Sequence, residues 1–124
     1  MTAHSHHSDL EVETVGDVAV VRFTHRSLLG ADLIVAIGDQ LQRAVDEMGH
    51  RKLVLNFANV ESMTTAMVGH VVGLQRKMQE CAGRLVLCSI NPFLMEIFKL
   101  LGLSKAFTIL PDEQAALNAF QGKT

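Results

Sequence analysis

The chain of 124 residues has no tryptophan and no tyrosine. A surface that stacks nucleobases is built from such rings, so that mode of nucleic-acid binding has little to work with. Positive charge is not in excess either. Eleven Lys and Arg stand against 13 Asp and Glu, for a net charge of −2. The basic face needed to hold phosphate backbones is therefore not expected. Cysteine is scarce: Cys81 and Cys88 are the two present, at a spacing that fits no metal or redox motif. They read as reduced core thiols in a reducing compartment. No apolar run approaches the ~18 residues of a membrane span. The opening segment MTAHSHHSDLEVE lacks the apolar stretch of a secretory signal, so a cytoplasmic location is expected.

Catalytic signatures are missing as well. There is no Gly-x-Ser-x-Gly elbow, no Gly-rich phosphate loop and no pair of histidines at metal-ligand spacing. His25, His50 and His70 stand alone and read as solvated residues. His4, His6 and His7 form a short cluster in the opening segment, where a mobile tail offers no supporting contacts to fix a metal. The sequence thus points away from an enzyme and implies no cofactor and no metal. An enzyme or small-ligand receptor would need convergent titratable groups in a polar pocket, and few candidates exist.

What is present is a globular composition, 48% apolar and 19% charged, at a length suited to one domain with a real core. Residues 1–9 read as a flexible N-terminal tail and 10–121 as the domain. Leu10–Val15 and Val18–Phe23 read as two strands joined by the turn Gly16-Asp17, a hairpin. Asp32 can cap a helix whose apolar face is Leu33, Ile34, Ile37, Leu41, Ala44, Val45 and Met48, closed by Gly49. Lys52–Phe57 is a compact apolar run and reads as a buried parallel strand. A second helix follows over 66–82, with Met67, Val71, Leu74 and Met78 on one face, ended by Gly83. Its Gly69 and Gly73, one turn apart, suggest close packing on another element.

Arg84–Ile90 is the next strand. Asn91-Pro92 opens a third helix over 92–101, with Phe93, Leu94, Ile97, Phe98 and Leu101 as its apolar stripe, stopped by Gly102. Ala106–Leu110 reads as a last strand, and Asp112 caps a final helix. The order is β-β-α-β-α-β-α-β-α. Strands alternating with helices call for an α/β fold, here a mixed, mostly parallel sheet of four to five strands with about four helices.

The connection Asn59-Val60-Glu61-Ser62-Met63-Thr64-Thr65-Ala66 carries three hydroxyls in four positions between a buried strand and a helix. A helix N-terminus has unpaired N–H groups and a positive dipole end. Ser62 or Thr64 can cap it. A phosphate there would add about 1.5 to 2 negative charges beside those N–H groups.

Four blocks, in order, carry a family resemblance: Val54–Val60, Thr64-Thr65-Ala66, Gly83–Cys88, and Gly102–Phe107. They resemble the signature of STAS domains, anti-anti-sigma factors among them, and the likeness runs from about Val12 to Phe120. The family's β/α order agrees with the one read from pattern. In anti-anti-sigma members this turn carries an Asp followed by a Ser or Thr. A serine/threonine kinase that is itself the anti-sigma factor phosphorylates that hydroxyl and so blocks binding. The resemblance implies Thr65 as the phospho-acceptor. Thr64 stands where the family usually has Asp, and Met67 where it commonly has Gly.

By the same resemblance, Ser62, Met63, Thr64, Ala66 and Met67, with Met95 on the third helix, would meet the partner. Met95 and Leu100 could form an exposed apolar edge there. The implied partner is an anti-sigma kinase-like protein, with no direct nucleic acid; a homodimer stays open. The alternative is a non-phosphorylated STAS scaffold subunit of a stressosome-like or lipid-transport assembly, toward which the missing Asp leans.

Overall fold

The computed structural model describes residues 4–6 and 9–121. The strands are β1 (His4–His6), β2 (Leu10–Val15), β3 (Val18–Phe23), β4 (Ser27–Leu28), β5 (Lys52–Asn56), β6 (Ser62–Met63), β7 (Arg84–Cys88) and β8 (Thr108–Leu110). The helices are α1 (Ala31–Asp46), α2 (Thr65–Glu80), α3 (Pro92–Leu100) and α4 (Glu113–Phe120). The main sheet runs β2-β3-β5-β7-β8, with β1 added at the β2 edge. β2 pairs antiparallel with β3 around the turn at Gly16, whose φ of 63° suits glycine. From β3 onward every pairing is parallel. This is the mixed, mostly parallel α/β sheet with four helices that the alternation predicts.

Three short strands go beyond that pattern. β1 falls within residues 1–9, which the sequence reads as a tail; it pairs antiparallel with Glu11–Glu13. The rest of that tail, apart from Asp9, lies outside the described residues, as do the side chains of the histidine cluster. β4 and β6 form a separate two-stranded parallel ladder. Two-residue strands carry no period for sequence reasoning to detect.

The central strands are apolar on both faces because both faces are covered. Leu53, Val54 and Leu55 are all 0% exposed. On one face Ala19, Val21, Leu53, Leu55, Leu85 and Leu87 pack with α1, α2 and α3 in the main core. On the other, Val20, Val54 and Val86 lie in register across β3, β5 and β7 and pack under α4.

The helix ends differ from expectation in instructive ways. α1 is capped by Gly30, with no side-chain bond, and Asp32 sits inside its first turn. Gly49 adopts φ 72° and lets the N–H of His50 reach the carbonyl of Ala44 at 3.0 Å, as expected of a closing glycine. At the end of α2 the left-handed residue is Ala82, at φ 59°, not Gly83. Gly83 is needed for space: a Cβ there would lie 2.7 Å from Met78 Cε and 3.0 Å from the Arg51 carbonyl oxygen. Gly69 and Gly73 do not serve close packing within the chain, because a Cβ at either would meet nothing within 4 Å. The close approach of α1 and α2 is instead at Gly38, where a Cβ would fall 2.5 Å from His70 Nδ1. His70 is therefore half-buried and packs its ring against α1 at the surface.

Candidate functional site

Strand β5 delivers the chain to the C-terminal end of the sheet at Asn56, and the turn that follows is fixed from several sides. The N–H of Phe57 donates to the Cys88 carbonyl at 3.0 Å, and that of Val60 to the Phe57 carbonyl at 2.9 Å. Asn56 Oδ1 accepts from the N–H of Ala58 at 2.8 Å. Asn59 Nδ2 donates to the Phe23 carbonyl at 3.1 Å, and Asn91 Nδ2 to the Val60 carbonyl at 3.1 Å. The N–H groups of Glu61 and Thr64 donate to the carbonyls of Arg26 and Leu28, at 2.7 and 3.2 Å. Below the turn, Phe57, Val60 and Met63 are buried, and the Phe57 ring packs on Phe23 with centroids 4.9 Å apart. Most N–H groups of the turn thus donate to neighbouring elements or to the turn itself, which makes it a fixed platform.

The two adjacent threonines do different jobs. Thr64 is the N-cap of α2, its Oγ1 accepting from the N–H of Met67 at 3.3 Å. Its carbonyl accepts from the N–H of Val68. This settles the choice between Ser62 and Thr64: the Ser62 hydroxyl instead donates to Ser27 Oγ at 3.3 Å. Thr65 is the first residue of α2, and both it and Ala66 are exposed. The first turn of α2 holds no acidic residue. A neutral hydroxyl therefore sits at the positive end of a sixteen-residue helix.

The remaining site candidates divide. Ser62, Thr64, Thr65 and Ala66 lie together at the surface of the turn, the first two half-buried. Met63 and Met67 do not: they are 6% and 0% exposed and belong to the core, so direct contact with a partner is corrected for both. Both point inward because β6 and the inner face of α2 bury them. Met95 is half-buried on α3. The exposed large apolar residues of α3 and its C-cap are Phe93, Leu100 and Leu101, at 65%, 84% and 47%. Phe93 and Leu101 thus leave the stripe the sequence assigns them, and Leu94 and Phe98 alone are buried. Leu29, directly after β4 and beside the turn, is also half out in solvent. The signal for Phe93 was available, since it falls seven residues before Leu100 and therefore on the same helical face.

Two polar clusters lie elsewhere. Asp9 joins His25 Nε2 at 3.0 Å through Oδ1 and accepts from Gln40 Nε2 at 3.1 Å through Oδ2. On the far face of the sheet, Glu113 accepts from Arg22 Nε at 2.9 Å, Arg22 Nη2 at 2.8 Å and Asn56 Nδ2 at 2.8 Å. The Arg22 bonds hold the Glu113 carboxyl below its usual range. Neither cluster is adjacent in sequence, so no local motif reports it. A shallow open cleft of about 200 Å³ lies between β2 and α1, lined by Leu10, Val12, Ala44 and Met48 with Gln40, Arg43 and Glu47. Its wall is mainly apolar, and it draws no residue from the turn. Among the described residues no cluster of His, Cys, Asp or Glu could hold a metal, and no helix is long and apolar enough to cross a membrane.

Comparison with known proteins gives this geometry a context. BtrV of Bordetella bronchiseptica, whose name marks it as a candidate anti-sigma factor antagonist, is 28% identical over 82 residues, covering 66% of this chain and 70% of its own. A solved anti-sigma factor antagonist (STAS) domain protein from Planctomyces limnophilus superposes with a TM-score of 0.83 at 20% identity, covering 92% of this chain and 99% of that one. The Bacillus cell fate determinant SpoIIAA, solved in its phosphorylated form, gives 0.69 at 22% identity, with coverage of 89% and 98%. The STAS domain family model matches residues 9–116, and the chain belongs to that family.

Proposed function

We propose that this protein is an anti-sigma factor antagonist. It docks through the 61–66 turn and the outer face of α2 onto an anti-sigma factor with serine/threonine kinase activity, and phosphorylation of Thr65 ends the association. The observation that carries this reading is the division of labour at the turn: Thr64 spends its hydroxyl on the cap, while Thr65 offers a free, exposed one at a rigid helix start. The kinship with BtrV and the phosphorylated form of SpoIIAA support it. The open glycines of α2 support it too. Gly69 follows Thr65 by one turn and Gly73 by two, and each costs helix stability by about 1 kcal/mol relative to alanine without serving any contact in the chain. A partner lying close along the helix gives them a use.

The switch follows from electrostatics. A neutral Thr65 is tolerated in a flat interface. A phosphate there must be desolvated against the partner, which is costly when unpaired. The free N–H groups at the start of α2 stabilise the phosphate internally, so the domain itself stays folded. Thr64 supplies the cap that an aspartate also supplies, without the carboxylate charge.

The test pairs two measurements. Incubation with candidate kinases and ATP, followed by mass mapping, is expected to modify Thr65 and leave Thr64 untouched. Capture from native extract with wild-type and Thr65→Asp protein is expected to lose the kinase partner roughly tenfold or more in the variant, at an unchanged melting temperature. Full affinity of Thr65→Asp with no modified threonine would instead favour a scaffold subunit, the reading to which Thr64 in place of the family's Asp leans.

A further inference from the structure

The face of the sheet opposite the main core has its own apolar cluster. Val18, Val20, Val54, Val86 and Cys88 are covered there by Ala116 and Leu117 of α4. The cover is slight. α4 has eight residues, and those two are its buried ones. Phe120 packs partly buried against the same cluster, with Val15 and Leu110, and polar contacts hold both ends of the helix. Glu113 is gripped by Arg22 and Asn56 at the first turn. At the last turn Arg84 donates to the Ala119 carbonyl at 3.3 Å, and its guanidinium lies 5.2 Å from the Phe120 ring centre.

The sheet side of this latch is arranged to survive release. Arg22 Nη1 also lies 3.2 Å from Glu11 and 2.9 Å from Glu13. When Glu113 leaves, Arg22 keeps two carboxylates. Breaking a partly buried pair is normally costly because it strands a charge, and here none is stranded. Asn56 Oδ1 likewise stays bonded to the N–H of Ala58. β8 remains paired to β7, so the link at Pro111 and Asp112 can serve as the hinge for the helix after it.

Cys88 lies under the first turn of this cover. It is 0% exposed and sits in register beside Asn56, which itself reaches Glu113. Burial pushes its thiol up to about 11, helped by the negative charges of Glu113 and Asp112. While covered, it is protonated at neutral pH and inert.

We infer that α4 is a hinged lid that opens while the rest of the domain stays folded, and that the open form presents Cys88 to small disulfides, which trap it. The exchange is balanced without any further oxidant. Cys88 gives its proton to water, its thiolate attacks one sulfur of the disulfide, and that S–S bond breaks. A new S–S bond joins Cys88 to one half, and the other half leaves as thiolate. The adduct occupies the space of Ala116 and Leu117, so the lid cannot reclose until a thiol reverses the exchange.

The experiment uses the full chain with Cys81→Ala, so that Cys88 is the single thiol. An aromatic disulfide reagent and oxidised glutathione are the probes, read by intact mass. Labelling is expected to be independent of urea well below the global transition, the signature of local opening. Glu113→Gln is expected to raise its rate about tenfold or more and to lower the global folding equilibrium by no more than the same factor, since the open form and the unfolded chain both lack the latch. In the glutathione adduct, amides of 113–120 should exchange fast while those of β3, β5 and β7 stay protected. A labelling rate that climbs with urea from the first addition, in step with global unfolding, overturns the lid. So does an unaltered rate in Glu113→Gln, or an adduct that unfolds the whole domain. The urea dependence needs no change at Glu113 and decides the matter even if that variant fails to fold.

Discussion

Two regions of this domain, the turn before α2 and helix α4, are held in opposite ways. The 57–65 turn is fixed by backbone hydrogen bonds to β3, β7 and the β4 region and by buried anchors beneath it. α4 is fixed by two buried side chains and by charges at its ends. Backbone bonds sealed over a core break only when the core opens, whereas a charged latch at the surface can release by itself. A rigid surface has the preset shape that the docking proposed for the turn needs, and the proposed release belongs to the element on the other face.

The largest test removes an anchor. Phe57→Ala deletes a fully buried ring packed at a tilt against Phe23 and is expected to cost about 3–5 kcal/mol in urea unfolding. All probes should report one transition, because the turn cannot loosen separately. A separate early transition at the turn would break the contrast. Leu117→Ala, on α4, is expected to cost less, about 2 kcal/mol, since its side chain is only partly enclosed at the edge of the smaller cluster. Its effect should appear first as faster amide exchange in 113–120, with the turn unaltered.

Acid sharpens the same comparison. The folded Glu113 carboxyl lies below its ordinary value of 4.5 because Arg22, and then Asn56, bond its charged form. Its contribution is therefore complete above the unfolded value and is lost as pH falls through the folded one. Exchange protection of α4 should hold from neutral pH to about 4.5 and then fall. The turn, whose hydrogen bonds are between backbone and uncharged groups and whose one ion pair, Arg26–Glu61 at 3.8 Å, is exposed and loose, should keep its protection to lower pH. Equal loss in both regions would show that they are not independent.

Much of this was legible in the sequence because it is periodic. The apolar runs of β3, β5 and β7 and the helical faces of α1 and α2 carry their structure in their spacing. The family resemblance singled out Thr65, and the structure places it exposed at the first position of α2. What stayed hidden depends on contacts between distant residues. Met63 and Met67 look like part of the turn by position, yet their side chains enter the core. The Arg22–Glu113 clamp joins residues 91 positions apart. Gly83 marks the end of α2 as expected, but for a different reason: it leaves room for Met78 and the Arg51 carbonyl, while the left-handed backbone falls on Ala82. Residue type alone cannot separate a glycine kept for space from one kept for backbone angle.

That last distinction supplies the smallest prediction. Ala82 holds φ 59° at an exposed position, a conformation that disfavours any residue with a Cβ by about 1–2 kcal/mol. Glycine removes that strain but loses more entropy on folding, which takes back about 0.5–1 kcal/mol. Ala82→Gly should therefore stabilise the domain by about 0.5–1 kcal/mol, read as a higher urea midpoint at constant slope. Ala82 follows α2, whose packing is on the face away from α4. The gain should slow exchange in α2, β5 and β7, whose opening requires global unfolding. It should leave exchange in 113–120 where it was, because the local opening of α4 does not break the end of α2. If α4 gains protection in equal measure, its release is global unfolding seen from one side, and the two regions of the domain are one cooperative unit.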